Sequence, residues 1–122
     1  MKRLLFYNQL PDFTIESQKV KGWGLEVQEV ASISGALRDR LFRRKANGGT
    51  NAVDVFLVRV TASGYDIVEF LDYVGRYRPE LPMIILSDSA EQTNLLHGLL
   101  KGITCEISEA RHMEEVLKKF CS

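Results

Sequence analysis

Short apolar runs alternate with stretches of helical period along the whole chain. Leu4 to Tyr7 is apolar throughout and reads as a first strand. Leu25 to Val30 (Leu-Glu-Val-Gln-Glu-Val) alternates strictly, as an edge strand with one wet face does. Val53 to Val60 is β-branched and apolar apart from Asp54 and Arg59, and predicts a third strand. Met83 to Leu86 carries no polar residue, the mark of a strand covered on both faces. Ile103 to Ile107 predicts a weaker fifth strand.

Helices fall between these runs. The third is the clearest, with Ile67, Phe70, Leu71 and Val74 at i, i+3, i+4 and i+7. The fifth repeats that spacing with Met113, Val116, Leu117 and Phe120. The fourth carries Leu95, Leu96, Leu99 and Leu100 and ends at Gly102, with Lys101 in its last turn. Ser89 and Gln92 have the spacing of a capping box at its start. The second starts near Ser32 and uses Leu37 and Leu41. The first follows Pro11, with Phe13 and Val20 as its core contacts.

Strand and helix thus alternate five times. Strict alternation implies a parallel sheet with right-handed crossovers and helices on both faces. Five units are too few for an eight-stranded barrel. The expected fold is the flavodoxin-like (βα)5 three-layer α/β sandwich, a parallel five-stranded sheet in the order 2-1-3-4-5, formed by residues 1–122 as a single domain. Its ligand crevice lies at the carboxyl ends of strands 1 and 3, where the winding direction reverses.

Composition narrows the function classes. The chain has 122 residues, 45% apolar and 26% charged, and its 16 basic and 16 acidic residues cancel. These are the proportions of an ordinary globular domain, and a neutral chain does not point to nucleic acid. The run Arg38-Asp-Arg40-Leu-Phe-Arg43-Arg44-Lys45 reads as the solvated face of the second helix. No apolar run approaches the ~20 residues of a membrane span, and the apolar stretch that follows Lys2-Arg3 ends at Asn8, too early for a secretory leader. Cys105 and Cys121 match no metal or redox spacing and are expected as reduced thiols of a cytoplasmic protein.

The crevice should be lined by the residues that follow the strands: Asn8 and Gln9 after the first, Arg59 at the end of the third, Ser87 and Asp88 after the fourth, Ser108 and Glu109 after the fifth. Here the chain resembles a known family. The segments Asp54-Val-Phe-Leu-Val-Arg59-Val-Thr-Ala-Ser-Gly64-Tyr-Asp66, Leu81-Pro82-Met-Ile-Ile-Leu-Ser87 and Lys101-Gly102-Ile-Thr, with the leucine-rich fourth helix, resemble the CheY-like receiver domain of response regulators, and the likeness runs through essentially the whole chain.

The resemblance implies an acidic pair after strand 1 that holds magnesium, a phosphoacceptor aspartate ending strand 3, a hydroxyl residue ending strand 4, a lysine after strand 5 and an aromatic switch residue in strand 5. The matching residues are Asn8 and Gln9, Arg59, Ser87, Glu109 (with Ala110 where the family has proline) and Glu106. Of the phosphorylation positions only Ser87 keeps the family's residue type. An arginine offers no nucleophilic oxygen. Two neutral amides are poor magnesium ligands. A guanidinium about 4 Å away at an effective ε of ~20 repels each unit of the ion's charge by ~4 kcal/mol. No cofactor and no metal is expected. The acid and base positions look exchanged, with Arg59 held by Glu109 or Asp88 and Asn8 or Gln9 accepting further hydrogen bonds.

The expectation is a pseudo-receiver of a two-component or phosphorelay system: not an enzyme, not phosphorylated, and working through protein–protein contacts. In the family, helix 4, strand 5 and helix 5 commonly carry partner contacts and homodimerisation. That surface would include His97, Lys101, Glu106, Arg111 and Glu115. Two other classes stay open: a small ligand-binding or enzymatic flavodoxin-like domain, disfavoured because Leu10-Pro11 supplies few phosphate-binding amides, and an atypical receiver phosphorylated at Asp88 or Asp66. His97 and His112 have no ligand or carboxylate partner at metal spacing, Ser87 has no activating histidine, and Trp23 between Gly22 and Gly24 reads as a packing residue at a turn.

Overall fold

The computed structural model describes residues 2–8, 15, 17–32, 41, 53–60 and 67–121. Among them are five strands: β1 (Lys2–Tyr7), β2 (Leu25–Val30), β3 (Val55–Arg59), β4 (Met83–Ser87) and β5 (Glu106–Glu109). The helices are α1 (Ser17–Lys21), α2 (Ile67–Tyr77), α3 (Ala90–Leu99) and α4 (Met113–Cys121), the last entered through one 3₁₀ turn, Ala110–His112. Every strand pair is parallel, and the sheet order is β2-β1-β3-β4-β5. This is the expected doubly wound arrangement. In place of the expected second helix only Leu41 is described, helical and fully buried; the rest of that segment, its basic run included, lies outside the described residues.

Successive side chains of a strand point to opposite faces, so a strand covered on both sides has no polar position to spare. Leu5, Tyr7, Phe56, Val58, Met83 and Ile85 face one layer, where they meet Leu41, Ile67, Leu71, Val74, Leu96 and Leu100. Leu4, Phe6, Val55, Leu57, Ile84 and Leu86 face the other, against Val20, Val116 and Leu117. Each fully buried side chain of this kind contributes about 1.5–3 kcal/mol.

Three local expectations are revised. The third strand starts at Val55, not Val53. The Asp54 carboxylate accepts the Arg3 amide at 2.7 Å while the Asp54 amide reaches the Arg3 carbonyl at 2.9 Å, which closes the end of the ladder. The fifth strand is Glu106–Glu109, not Ile103–Ile107. Gly102, at φ 90°, turns the chain, the Ile103 amide bonds the Leu100 carbonyl at 3.0 Å, and the Ile103 side chain packs over Gly75, so pairing with β4 begins only at Glu106. Of the four leucines on and just after α3, only Leu96 and Leu100 are buried. Leu95 and Leu99 are about half exposed, and Gln92 takes the inward place one turn earlier. Ser89 caps α3 as expected, its hydroxyl accepting the Gln92 amide at 3.1 Å, but the Gln92 side chain reaches back to the Asp88 amide at 2.6 Å and not to the cap's own N–H.

The turn from α1 into β2 sets the edge of the sheet. Gly24, at φ 88°, bonds the Lys21 carbonyl at 3.0 Å, and its own carbonyl accepts the Lys2 amide at 2.9 Å, the start of the β1–β2 ladder. No helix among the described residues is long and apolar enough to cross a membrane.

Candidate functional site

Parallel strands deliver their last residues to one edge of the sheet, and the order found here puts β1, β3, β4 and β5 side by side. Asn8 follows β1, Arg59 ends β3, Ser87 ends β4 with Asp88 after it, and Glu109 ends β5, in the strand and not beyond it. Ser87 and Glu109 stand directly opposite each other in the ladder, and Arg59 stands opposite Leu86.

Arg59 is the strongest feature. The residue is only 8% exposed, yet its Nη2 donates to Asp88 Oδ1, whose side chain remains 41% exposed. A cation buried by strand geometry is thus met by a carboxylate that still touches water. Asp88 is positioned in turn by Gln92, which accepts its backbone amide, and Gln92 is fixed by the Ser89 cap of α3. Of the two acids considered for Arg59, Asp88 is the one that makes the pair. Glu109 accepts instead from Arg111 Nη2 at 3.1 Å, a neighbour two residues on. Asn8 is buried and donates its carboxamide N–H to Glu29 Oε1 at 2.7 Å, tying the mouth of β1 to the tip of β2. Gln9 and Asp66 lie outside the described residues.

Ser87 is fully buried. Its Oγ shares a hydrogen bond with the Thr93 hydroxyl and lies 3.2 Å from the Ser89 carbonyl and 3.4 Å from that of Ser108. These contacts hold the hydroxyl toward the first turn of α3. The contribution of Gln92 and Thr93 was missed at the sequence level, although the Ser89–Gln92 spacing marked that turn as an organised cap.

Chemically the cluster is built around the Arg59–Asp88 pair. The end of β3 offers a guanidinium, which is neither a nucleophile nor a metal ligand. The nearest carboxylate, Asp88, pairs with it through one oxygen. Among the described residues no three His, Cys, Asp or Glu side chains converge so as to hold a metal ion.

The other singled-out residues are distributed around the fold. His97 and Lys101 are exposed on and just after α3, and Arg111 and Glu115 are exposed on the 3₁₀ turn and α4. Glu106, at the start of β5, is partly exposed and 3.5 Å from Lys119 Nζ. α3 packs on β5 and β5 on α4, so these positions belong to consecutive, contacting elements. His112 does have a carboxylate neighbour, contrary to expectation: Glu115 Oε2 lies 3.9 Å from its Nδ1, one helical turn on. Trp23 is half-buried in the α1–β2 turn with Lys118 Nζ 5.2 Å from its ring centre. Cys105 is partly buried, and that burial pushes its thiol pKa up, so it stays protonated at neutral pH.

Comparison with known proteins bears on the fold. No family model matches the chain, and no curated protein matches it in sequence. Among solved structures, the chain is similar to a CheY-like response regulator receiver domain protein from Methanospirillum hungatei, with a TM-score of 0.59 at 17% identity over 99% of this chain and 94% of that one. A second similar structure is the phosphorylated cyanobacterial phytochrome response regulator RcpA, with a TM-score of 0.49 at 16% identity over 98% of this chain and 88% of that one.

Proposed function

We propose that this domain, which has the fold of a CheY-like receiver, is a pseudo-receiver: a module of a two-component or phosphorelay system that takes no phosphoryl group and acts by binding a protein partner. The observation that carries this reading is Arg59 at the end of β3, buried and paired with Asp88. Phosphoryl transfer needs an oxygen nucleophile in line with the donor and cations around the moving charge. At this edge the strand ends in a cation that pairs with the adjacent acid. Asn8 follows β1 with a neutral amide.

Without a phosphoryl trigger the domain signals by which partner occupies it. The surface of α3, β5 and α4 supports that role through His97, Lys101, Glu106, Arg111 and Glu115, joined by Leu95 and Leu99, half-exposed leucines that the core does not use. A second copy of the chain is one candidate partner for this face. The reading entails a non-enzymatic, cytoplasmic protein without cofactor or metal.

The test is incubation of the purified domain with acetyl phosphate and magnesium, followed by intact-mass measurement. The mass is expected to stay unchanged. An adduct of about 80 Da would overturn the reading, and peptide mapping of such an adduct to Asp88, the half-exposed acid of the site, would establish the atypical-receiver alternative.

A further inference from the structure

Arg78 is a buried cation outside the strand ends. It directly follows α2, and its main chain is fixed on both sides. The Arg78 amide bonds the Val74 carbonyl at 2.7 Å, and the Arg78 carbonyl accepts the Leu81 amide at 3.0 Å. From this anchored position the guanidinium reaches a point 37 residues back in the chain, where Nη1 donates to the Leu41 carbonyl at 2.5 Å, a bond buried from water. Its Nε donates to Glu80, whose side chain is about half exposed. Leu41 is itself fully buried, in the layer that also holds Leu71, Val74 and Leu81.

Two different forces therefore seat the chain at Leu41: burial of its apolar side chain, and a charge-assisted hydrogen bond on its carbonyl. The second is built to let go. A cation left alone in the interior is costly. Arg78 keeps the Glu80 carboxylate, close in sequence and open to water, when the Leu41 carbonyl leaves. Release of Leu41 does not strand a charge.

We propose that Arg78 is a clamp, a positioning residue that sets a local opening of the domain in which Leu41 leaves the core while the sheet stays folded. The chain at Leu41 then has a stability of its own, smaller than that of the whole domain and governed from the turn between α2 and β4. This device is separate from the strand ends on which the proposed function rests, and each stands or falls without the other. Hydrogen bonds from charged donors are the stronger class, so losing this one is read as about tenfold to a hundredfold in the opening equilibrium.

Native-state hydrogen exchange of the full chain in low urea tests the proposal. The Leu41 amide is expected to exchange through an opening at least about tenfold more frequent than the one that exposes Leu57, at the centre of β3, and less sensitive to urea because it uncovers less surface. Arg78→Met should raise exchange at Leu41 by about tenfold to a hundredfold. Ile84→Val, on the opposite face of the sheet, is the control. It weakens a part of the core that stays folded when Leu41 opens, so exchange at Leu57 should rise by about twofold to tenfold while Leu41 is unchanged. Arg78→Lys keeps the charge without the guanidinium fork and should shift Leu41 in the same direction by less, so the test does not hang on Arg78→Met folding. Equal rates and urea slopes at Leu41 and Leu57, a Leu41 amide unprotected in the parent chain, no change at Leu41 in either Arg78 variant, or a Leu41 that follows Ile84→Val would overturn the proposal.

Discussion

At position 59 the chain ends an apolar strand with a full positive charge, and the energetics of that choice are asymmetric. Arg59 is 8% exposed and its partner Asp88 far more open, so the two ends of the pair differ in what is lost when the other is removed. Asp88→Asn leaves a buried guanidinium facing a neutral amide. Breaking a fully buried pair this way costs about 3–5 kcal/mol. The open side of Asp88 lets water screen part of that, and a loss of about 1–3 kcal/mol is expected by urea denaturation. Arg59→Met removes the charge and keeps the apolar stem. It leaves only an aspartate with access to water, so it should lie within about 1 kcal/mol of the parent or above it. Equal losses in the two variants would mean that the pair is not held as described. Arg59 itself was legible in the sequence, because strand spacing alone puts it at the sheet's edge. Its partner was not, because Asp88 and Glu109 are both acids at the carboxyl end of a strand. What decides between them is local. Gln92 fixes the Asp88 backbone, while Arg111, two residues from Glu109, takes that carboxylate.

At the scale of elements, two helix glycines make opposite demands. A Cβ at Gly75 in α2 would sit 2.3 Å from Ile103 Cγ2, a methyl carried directly on the stiff, branched Cβ, whereas one at Gly98 in α3 would meet nothing within 4 Å. Gly98→Ala should therefore stabilise the domain by about 0.5–1 kcal/mol through backbone entropy alone. Gly75→Ala should destabilise it by about 1–3 kcal/mol despite the same entropic gain, because the overpacking outweighs it. Chemical denaturation of the two variants separates the cases by the sign of the change. The same contact explains the misplaced fifth strand. Ile103 carries a strand-like apolar pattern, but the space over Gly75 captures it, and no local signal in residues 103–107 records a helix two elements earlier. The inward pair among the leucines on and just after α3 was not legible for a related reason. Four leucines at i, i+1, i+4 and i+5 span too wide an arc for one face to bury, and the pattern cannot say which pair goes inside. The structure buries Leu96 and Leu100 with Gln92. Strand order, by contrast, followed from the alternation of periods, because covered parallel strands permit few other arrangements.

At the scale of the whole molecule, what bears on the proposed absence of phosphoryl chemistry is where the charges at the strand ends sit. The charge balance of the whole chain says nothing on this matter, since 16 basic and 16 acidic residues cancel. The distribution does: of the acids described near the strand ends, Asp88 answers Arg59, Glu109 answers Arg111 and Glu29 accepts from Asn8. A divalent cation entering there would compete with these donors for the acids and face the Arg59 guanidinium. Linkage turns this into a measurement. A ligand that binds only the native state stabilises it by RT ln(1 + [L]/Kd), so a magnesium site with Kd near ~1 mM would add about 1.4 kcal/mol in ~10 mM magnesium. For a domain of this size that is a shift of several degrees in the unfolding midpoint. The expected result is no shift when magnesium chloride is compared with sodium chloride at equal ionic strength, which removes the general screening of surface pairs. A magnesium-specific rise would reveal a divalent site among these residues. If Asp88→Asn then abolished that rise, the acid now assigned to Arg59 would have to be reassigned to the metal.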